Sequence, residues 1–531
     1  MLVTSISVLI SSSIYWLLNT WANLTMDEII FHLKVPLKGT NRDMISEAIW
    51  TGMIPCLVAI AIVWIVLRFT QGRKKPRIIF SGIVMTFAIS LAAVMIYTII
   101  NRYNVAEYIV NRNDESTFIE ENYVEPRSVK ITFPEKKRNL VYIFLESMEK
   151  TYTSTENGGF SKENLIPELT DLADNNVSFS SDEKLGGGRA AACSTWTIAA
   201  MFAQTAGLPL DIPIGDDKIE EQEQFFPNIV TLGDVLHEQG YKQVLMFGSD
   251  ADFGGRRNYF TQHGQYEIWD YLAAKEKQKI PQDYREFWGF EDQKLFQFAK
   301  EELTKLSQGD QPFNLTMLTV DTHFEDGYLC DLCVDEHDGN QYANVISCSS
   351  RQVSEFVEWI SEQSFYENTT VVLVGDHLSM DMDFFKHVPK EYKRQVYNAF
   401  INAAAEPVRE KNIDLTTMDF YPTTLASLGV RIEGERLALG TNLFSGQTTL
   451  MEEYGFEKIN EEIAKRSLFY EQFTKEIVGT LGDWVEDENG RRFMRPDGTF
   501  IKDRWFYSKG IGYHFNEEGY VDRQFNQSQE K

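Results

Sequence analysis

Four side chains in this sequence have the types and local settings that a metal-assisted group transfer needs. Glu146 closes the apolar run NLVYIFLE, and Thr197 follows the glycine-rich stretch GGGRAAACSTW at the start of a helical pattern, TIAAMFAQTAGLPL. Nearly two hundred residues further on, the run TTVVLVG leads straight into Asp376 and His377. A carboxylate at the end of a buried strand, beside a hydroxyl near a helix N-terminus, is how α/β enzymes assemble a site for metal and phosphate. Adjacent Asp and His add a hard oxygen and an imidazole for a divalent ion. Alone, such a dipeptide is as readily a cap or a solvated turn; its place after a strand, like that of Glu146, is what joins it to the site.

Two more constellations follow apolar strands. FGSDADFGGRRNYF carries Asp250 and Arg256, and a guanidinium there could grip a phosphoryl or glycerol oxygen through its planar fork. LTVDTHFEDG carries His323. Taken singly, each could equally be a surface charge or a satisfied core imidazole. Of the five cysteines, Cys333 and Cys348 would close a short loop around VDEHDGNQYANVI in an oxidising compartment. The alternative, a zinc site from CDLC with His337, lacks a second ligand pair at suitable spacing. Cys193 and Cys330 are left as free thiols or a second bridge.

The elements that must position these groups read as an α/β fold. From Arg138 onward, strand-like runs (LVYIFL, YKQVLMF, FNLTMLTV, TTVVLVG, VYNAFI) alternate with helical patterns, which argues a mostly parallel sheet with helices on both faces. Before it come three charge-free apolar runs at 1–25, 49–67 and 78–100, each long enough to span a membrane. The first lacks the basic start and small-residue cleavage pattern of a signal peptide and is read as a retained span. RFTQGRKKPR between the second and third puts five basic residues in the cytoplasm, so the chain after Ile100 is delivered outside. Residues 101–137 read as a polar linker, 138–446 as the catalytic domain and 447–531 as a C-terminal segment. In that segment Trp484 and Trp505, and Gly498 and Gly519, recur at a spacing of 21 residues, over about 481–521. Such a period resembles wall- or choline-binding hairpins, and a β-rich cap on the catalytic domain explains it equally well. The net charge is −27 over 531 residues, with basic residues gathered at the membrane. An acidic exported surface excludes nucleic acid as a partner.

The motifs NLVYIFLESMEKTY, WTIAAMFAQTAGLPL, FGGRRNYFTQHG, LTVDTHFEDGY, VISCSS and VVLVGDHLSM, in this order, resemble the membrane-bound phosphoglycerol transferases of the alkaline phosphatase and sulfatase superfamily. The nearest branch acts on osmoregulated periplasmic glucans, and the lipoteichoic acid synthases are more distant. The resemblance implies an alkaline phosphatase/sulfatase-like fold and a divalent ion, Mn²⁺ or Mg²⁺, held by Glu146, Thr197, Asp376 and His377. It implies Thr197 as the nucleophile, with Asp250, Arg256 and His323 on the substrate. It further implies transfer of a phosphoglycerol group from phosphatidylglycerol to a glycan or glycerol-phosphate acceptor, at the outer face of the cytoplasmic membrane.

ACSTWT also offers Cys193, Ser194 and Thr195. The sulfatase formylglycine pattern, with a Pro or Ala and an Arg following the cysteine at fixed positions, is absent here, and WTIAAM aligns Thr197 with the family's nucleophile. A phosphoethanolamine transferase or a sulfatase-like phosphodiesterase would share the metal and threonine logic. A non-catalytic sensor or glycan-binding protein on this fold would lose a ligand, whereas all four are present. Relatives of the glucan branch continue well past this domain while 85 residues follow Gly446 here, which leaves the acceptor open.

Overall fold

The computed structural model describes residues 2–20, 24–34, 42–212, 225–474, 483–494, 498–502, 504–508 and 511–526. It divides into two compact units, one of residues 1–33 and 37–113 and the other of 34–36 and 114–531. The first unit holds three helices long and apolar enough to cross a membrane: α1 (Leu2–Thr20), α2 (Ile45–Phe69) and α3 (Lys74–Arg102). Of the expected first run, residues 1 and 21–23 lie outside the described residues. The apolar side chains of these three helices stay largely exposed, as lipid-facing surfaces do, while the buried positions on α1 (Thr4, Ser7 and Ser11) and on α3 (Ala88 and Ala92) are small. Small residues let helix backbones approach closely where no water drives association. The basic cluster does not sit in a long loop, because α3 begins at Lys74 and extends the apolar run by one turn.

In the second unit a six-stranded sheet carries everything else. Its strands are β1 (Asn139–Leu145), β2 (Lys242–Phe247), β3 (Glu267–Trp269), β4 (Phe313–Leu318), β5 (Thr369–Gly375) and β6 (Asn398–Ile401), in the order β3-β2-β4-β1-β5-β6. All pairs are parallel except β5 with β6. Parallel strands must be covered on both faces, and β1 shows it: Val141, Ile143 and Leu145 join one apolar cluster with helices over Asp292–Leu306 and Gln341–Ser361. Tyr142 points the other way, its hydroxyl donating to Gln204 Oε1 at 3.2 Å on the helix Thr197–Ala206.

Within the stretch 101–137 expected as a linker, the chain is structured. It forms a helix over Val105–Asn113, buries Phe118 and Ile119, and pairs Ile131–Thr132 with Arg431–Ile432. Past Gly446, three short helices (Leu450–Tyr454, Phe456–Ala464, Leu468–Glu471) pack back onto the sheet unit, and Asn460 Oδ1 accepts the Ala192 N–H at 2.8 Å. Two small antiparallel sheets follow, β7 (Asp483–Asp487) with β8 (Gly490–Met494), and β9 (Arg504–Ser508), β10 (Ile511–Phe515) and β11 (Val521–Asn526). Trp484 packs there against Phe493, Tyr513 and Phe515. The recurring glycines both take positive φ, 83° at Gly498 and 88° at Gly519, so each repeat marks a turn. The side chain of Trp505 lies outside the described residues.

Candidate active site

Register alone brings the two halves of the site together. Leu145 lies beside Gly375, and Phe144 beside Leu318, so β1, β5 and β4 end at the same level. The next residues, Glu146 and Asp376, therefore emerge side by side at the carboxyl end of the sheet, where open α/β sheets bind ligands. Gly375 is required for this: a Cβ there would lie 1.9 Å from the Met148 carbonyl oxygen.

Glu146, Asp376 and His377 are all buried, and one ligand atom from each lies within 4.8 Å of the others. His377 Nε2 stands 3.4 Å from Asp376 Oδ2, 3.6 Å from Glu146 Oε1 and 3.3 Å from Thr197 Oγ1. The other ring nitrogen, Nδ1, is 2.9 Å from the Leu378 carbonyl. A carbonyl only accepts, so Nδ1 carries the proton and Nε2 turns its lone pair toward the carboxylates and the threonine. Asp376 Oδ1 accepts the N–H of Ser147 (2.8 Å) and of His377 (2.7 Å), while the buried Oδ2 has no hydrogen-bond partner among the described residues. Burial, followed by the neighbouring Glu146 charge, pushes Asp376 up to about 8 against the pull of His377 and the two N–H donors. A buried set of two carboxylates, an imidazole lone pair and a hydroxyl, with one carboxylate oxygen left over, fits a divalent cation.

Thr197 opens its helix, whose N-cap, Trp196, makes no side-chain cap bond, so the first-turn N–H groups remain for an anion. Gln204, two turns on, locks the helix to the sheet end by donating to the Gly375 and Asp376 carbonyls at 3.0 and 3.1 Å. Thr195 presents no such contact: its hydroxyl is buried without a partner among the described residues, and Ser194 Oγ donates to the Ala191 carbonyl at 2.6 Å. Cys193 is buried with φ 57°, in the turn that delivers Thr197.

Arg256 is buried at the end of β2. Its Nε donates to the Phe253 carbonyl (3.0 Å) and Nη2 to Ser249 Oγ (3.0 Å) and the Asp250 carbonyl (2.9 Å), with the guanidinium carbon 4.5 Å from the Phe247 ring centre. Burial lowers it to about 10, opposed by the charges of Asp250, Glu146 and Asp270, and the cation persists at neutral pH. Asp250 accepts the Asp252 N–H at 3.0 Å and acts on Arg256 by charge. His323 sits against Trp288 (ring centres 4.8 Å apart), and its Nδ1 is 2.6 Å from the Phe324 carbonyl. Burial lowers its pKa against the opposing Glu146 charge, so the neutral ring keeps its proton on Nδ1 and a lone pair on Nε2.

Several supports were not singled out from the sequence. Thr319 Oγ1 accepts the Glu146 N–H at 2.9 Å and Thr322 Oγ1 donates to the Glu146 carbonyl at 2.5 Å, tying β4 to the Glu146 turn. Asp292 and Asp321 each accept the other's backbone N–H, at 3.0 and 3.1 Å; burial pushes both upward, followed by the charges of Glu146 and Glu291 at Asp292 and by the Asp292 charge at Asp321. Gln204 had a visible signal, since it lies seven residues from Thr197 on one helix face; the aspartates had none.

Cys333 and Cys348 form the expected disulfide, with Cα atoms 5.1 Å apart. Cys330 Sγ lies 3.6 Å from Cys333 Sγ as a free thiol. His337, the alternative zinc ligand, is instead 2.8 Å from Ser347 Oγ.

The family model described as Sulfatase matches residues 138–430. Phosphoglycerol transferase I of Salmonella choleraesuis (strain SC-B67) is 33% identical over 335 residues, covering 61% of this chain and 41% of that protein. The same-named protein of Salmonella typhi is 33% identical over 336 residues. The chain thus spans about two fifths of the length of these relatives. Among solved structures, the integral membrane lipooligosaccharide phosphoethanolamine transferase A (EptA) of Neisseria meningitidis aligns with TM-score 0.48 and 14% identity over 80% of this chain and 83% of that one. The lipoteichoic acid synthase LtaP of Listeria monocytogenes aligns with TM-score 0.45 and 15% identity over 77% and 93%. With its family model running from Arg138 to Val430 across the sheet and every group of the site, this chain belongs to the sulfatase family.

Proposed function

We propose that the chain is a membrane-anchored, divalent-metal-dependent phosphoglycerol transferase. The observation that carries this reading is Thr197 Oγ1 at 3.3 Å from His377 Nε2, beside the buried Glu146 and Asp376 carboxylates. Glu146, Thr197, Asp376 and His377 would hold Mn²⁺ or Mg²⁺, hard ions suited to oxygen-rich sites. Bound there, the ion supplies Lewis-acid stabilisation and lowers the pKa of the threonine hydroxyl. The donor is phosphatidylglycerol and the acceptor a glycan or glycerol-phosphate hydroxyl, on the outer side of the cytoplasmic membrane as the basic cluster at Arg68–Arg77 directs.

In the first half-reaction Thr197 Oγ bonds to phosphorus as the bond from phosphorus to the diacylglycerol oxygen breaks. The threonine proton ends on that oxygen, and diacylglycerol leaves. In the second, an acceptor hydroxyl attacks the glycerophosphoryl-threonine, its proton passes to Thr197 Oγ, and the free enzyme returns. His323, neutral and with Nε2 unprotonated, relays the proton in both halves. Arg256, with Asp250 orienting it by charge, and the helix N-terminus receive the equatorial phosphoryl oxygens.

The test compares diacylglycerol release from labelled phosphatidylglycerol by Thr197→Ala and Thr195→Ala in the same membranes. Thr197→Ala should lose at least about a thousandfold, roughly 4 kcal/mol of barrier, while Thr195→Ala retains most activity. Loss in Thr195→Ala with activity in Thr197→Ala would place the nucleophile elsewhere.

A further inference from the structure

The loops that carry the metal donors are tied to one another by a buried pair of phenols that takes no part in the chemistry above. Tyr152 and Tyr342 are fully buried, and their hydroxyls are 3.3 Å apart. Tyr152 donates to the Ser147 carbonyl at 3.0 Å, one residue after Glu146. Tyr342, in the first turn of the helix Gln341–Ser361, donates to the Thr322 carbonyl at 3.1 Å, one residue before His323, and its oxygen lies 2.6 Å from Ser379 Oγ, two residues after His377. One chain of hydroxyls therefore touches the loops after β1, β4 and β5.

The proton count closes. Each phenol has one hydrogen: Tyr152 gives its own to Ser147, Tyr342 shares its own between Thr322 and Tyr152, and Ser379 Oγ donates to Tyr342. The places it reaches are those that most need holding. Ser147 is a non-glycine residue at φ 54°, with its N–H on Asp376 Oδ1 and its hydroxyl on Glu146 Oε1 at 2.8 Å. A residue kept in the left-handed region persists only when its surroundings fix it. On the other side, Ser379 is gripped by the ion pair of buried Glu149 with half-buried Arg394: Ser379 N donates to Glu149 Oε1 at 3.1 Å, and Arg394 Nη2 donates to the Ser379 carbonyl at 2.8 Å. That peptide follows Leu378, whose carbonyl sets the proton on His377 Nδ1.

We infer that Tyr342 is a positioning residue whose hydroxyl, through Ser379 and Tyr152, sets the spacing of the Glu146 and Asp376–His377 loops and thereby the affinity of the site for its cation. The inference rests on the metal-dependent reading of the site, though not on the identity of the lipid donor. Residues that orient metal ligands from behind commonly carry tenfold or more of the affinity.

The experiment uses the full-length protein in detergent micelles, with Mn²⁺ alone as the probe and its free fraction read by electron paramagnetic resonance. Tyr342→Phe removes one oxygen and keeps the ring, and Ser379→Ala removes the partner. Each should raise the Mn²⁺ dissociation constant about tenfold. The double variant should be no worse than the weaker single, because both break one link. Diacylglycerol release is recorded in parallel, and the Mn²⁺ concentration that gives half the maximal rate should rise by the same factor, with KM for the lipid at saturating Mn²⁺ unchanged. Dissociation constants within twofold of the parent in folded Tyr342→Phe and Ser379→Ala would overturn the inference, as would multiplying effects in the double variant. If Tyr342→Phe fails to fold, Ser379→Ala decides alone by the same criterion. A parent that binds Mn²⁺ but releases no diacylglycerol would defeat the proposed function and leave the positioning claim to the binding data.

Discussion

At the scale of single residues, the site is a set of mismatches that a cation would resolve. Asp376 carries a buried oxygen with no hydrogen-bond partner among the described residues, and Glu146 and His377 turn toward the same point. Removal of the ion by exhaustive chelation should therefore abolish turnover, with recovery on adding Mn²⁺ or Mg²⁺; full activity after chelation would refute the assignment. Asp376→Asn keeps the shape and gives up one negative charge, and a carboxamide is a weaker ligand. It should weaken Mn²⁺ at least about tenfold in the same titration. Arg256→Lys keeps the charge and loses the planar fork that Phe253, Ser249 and Asp250 hold in place, so kcat/KM for the lipid should fall about a hundredfold, near 3 kcal/mol. Glu146, Asp376 and His377 stood out in the sequence because each follows an apolar strand directly, and Thr197 because it opens a helix after a glycine-rich stretch. Tyr152, Tyr342 and the Asp292–Asp321 pair were not, because a buried tyrosine or a helix-start aspartate looks like ordinary core or capping until the loops that meet there are known.

At the scale of elements, β1 and β5 announced themselves by near-continuous apolar runs, as strands buried on both faces do, and β4 by a run interrupted only at Asn314 and Thr316. What the runs could not convey is register, since strands distant in sequence align through contacts no local pattern encodes. The polar stretch 101–137 was the least legible: its charges mask Phe118, Ile119 and the Ile131–Thr132 pairing, which bury against elements hundreds of residues away. One structural pair offers a pH test. His263 places Nδ1 2.9 Å from Asp234 Oδ2 and Nε2 2.8 Å from the Phe225 carbonyl. Both partners accept, so the ring holds two protons. Burial alone would lower its pKa, but the Asp234 carboxylate prevails and raises it. A raised folded pKa stabilises fully below the unfolded value near 6.5 and ceases to do so as pH rises through the folded value. His263→Gln should thus cost about 2 kcal/mol at pH 5.5, and the difference in melting temperature from the parent should shrink as the pH is raised above that of the folded pair. A difference that grows with pH would contradict the sign. The Cys333–Cys348 bridge closes a loop with a sequence separation of 15, worth about 3 kcal/mol. Both thiols should resist alkylation in native, unreduced protein.

At the scale of the molecule, three apolar helices precede a sulfatase-family unit. The basic cluster at Arg68–Arg77 sends that unit outside, so a reporter fused after Lys531 should be active only beyond the cytoplasm. The helices after Gly446 belong to the working unit: Asn460 holds the Ala192 N–H in the loop leading to Thr197, and the Phe456 ring lies 3.3 Å from the Arg189 guanidinium carbon. Truncation after Gly446 should therefore lower activity more than truncation after Thr474. The central claim remains that Thr197 carries the transferred group. It is tested most directly by incubating the metal-loaded protein with phosphatidylglycerol in the absence of acceptor, quenching in acid, and measuring the mass of the peptide that contains Thr197. The account predicts a glycerophosphoryl adduct on Thr197, absent in Thr197→Ala. Diacylglycerol release with no adduct on any residue, or with the adduct on Thr195, would contradict it.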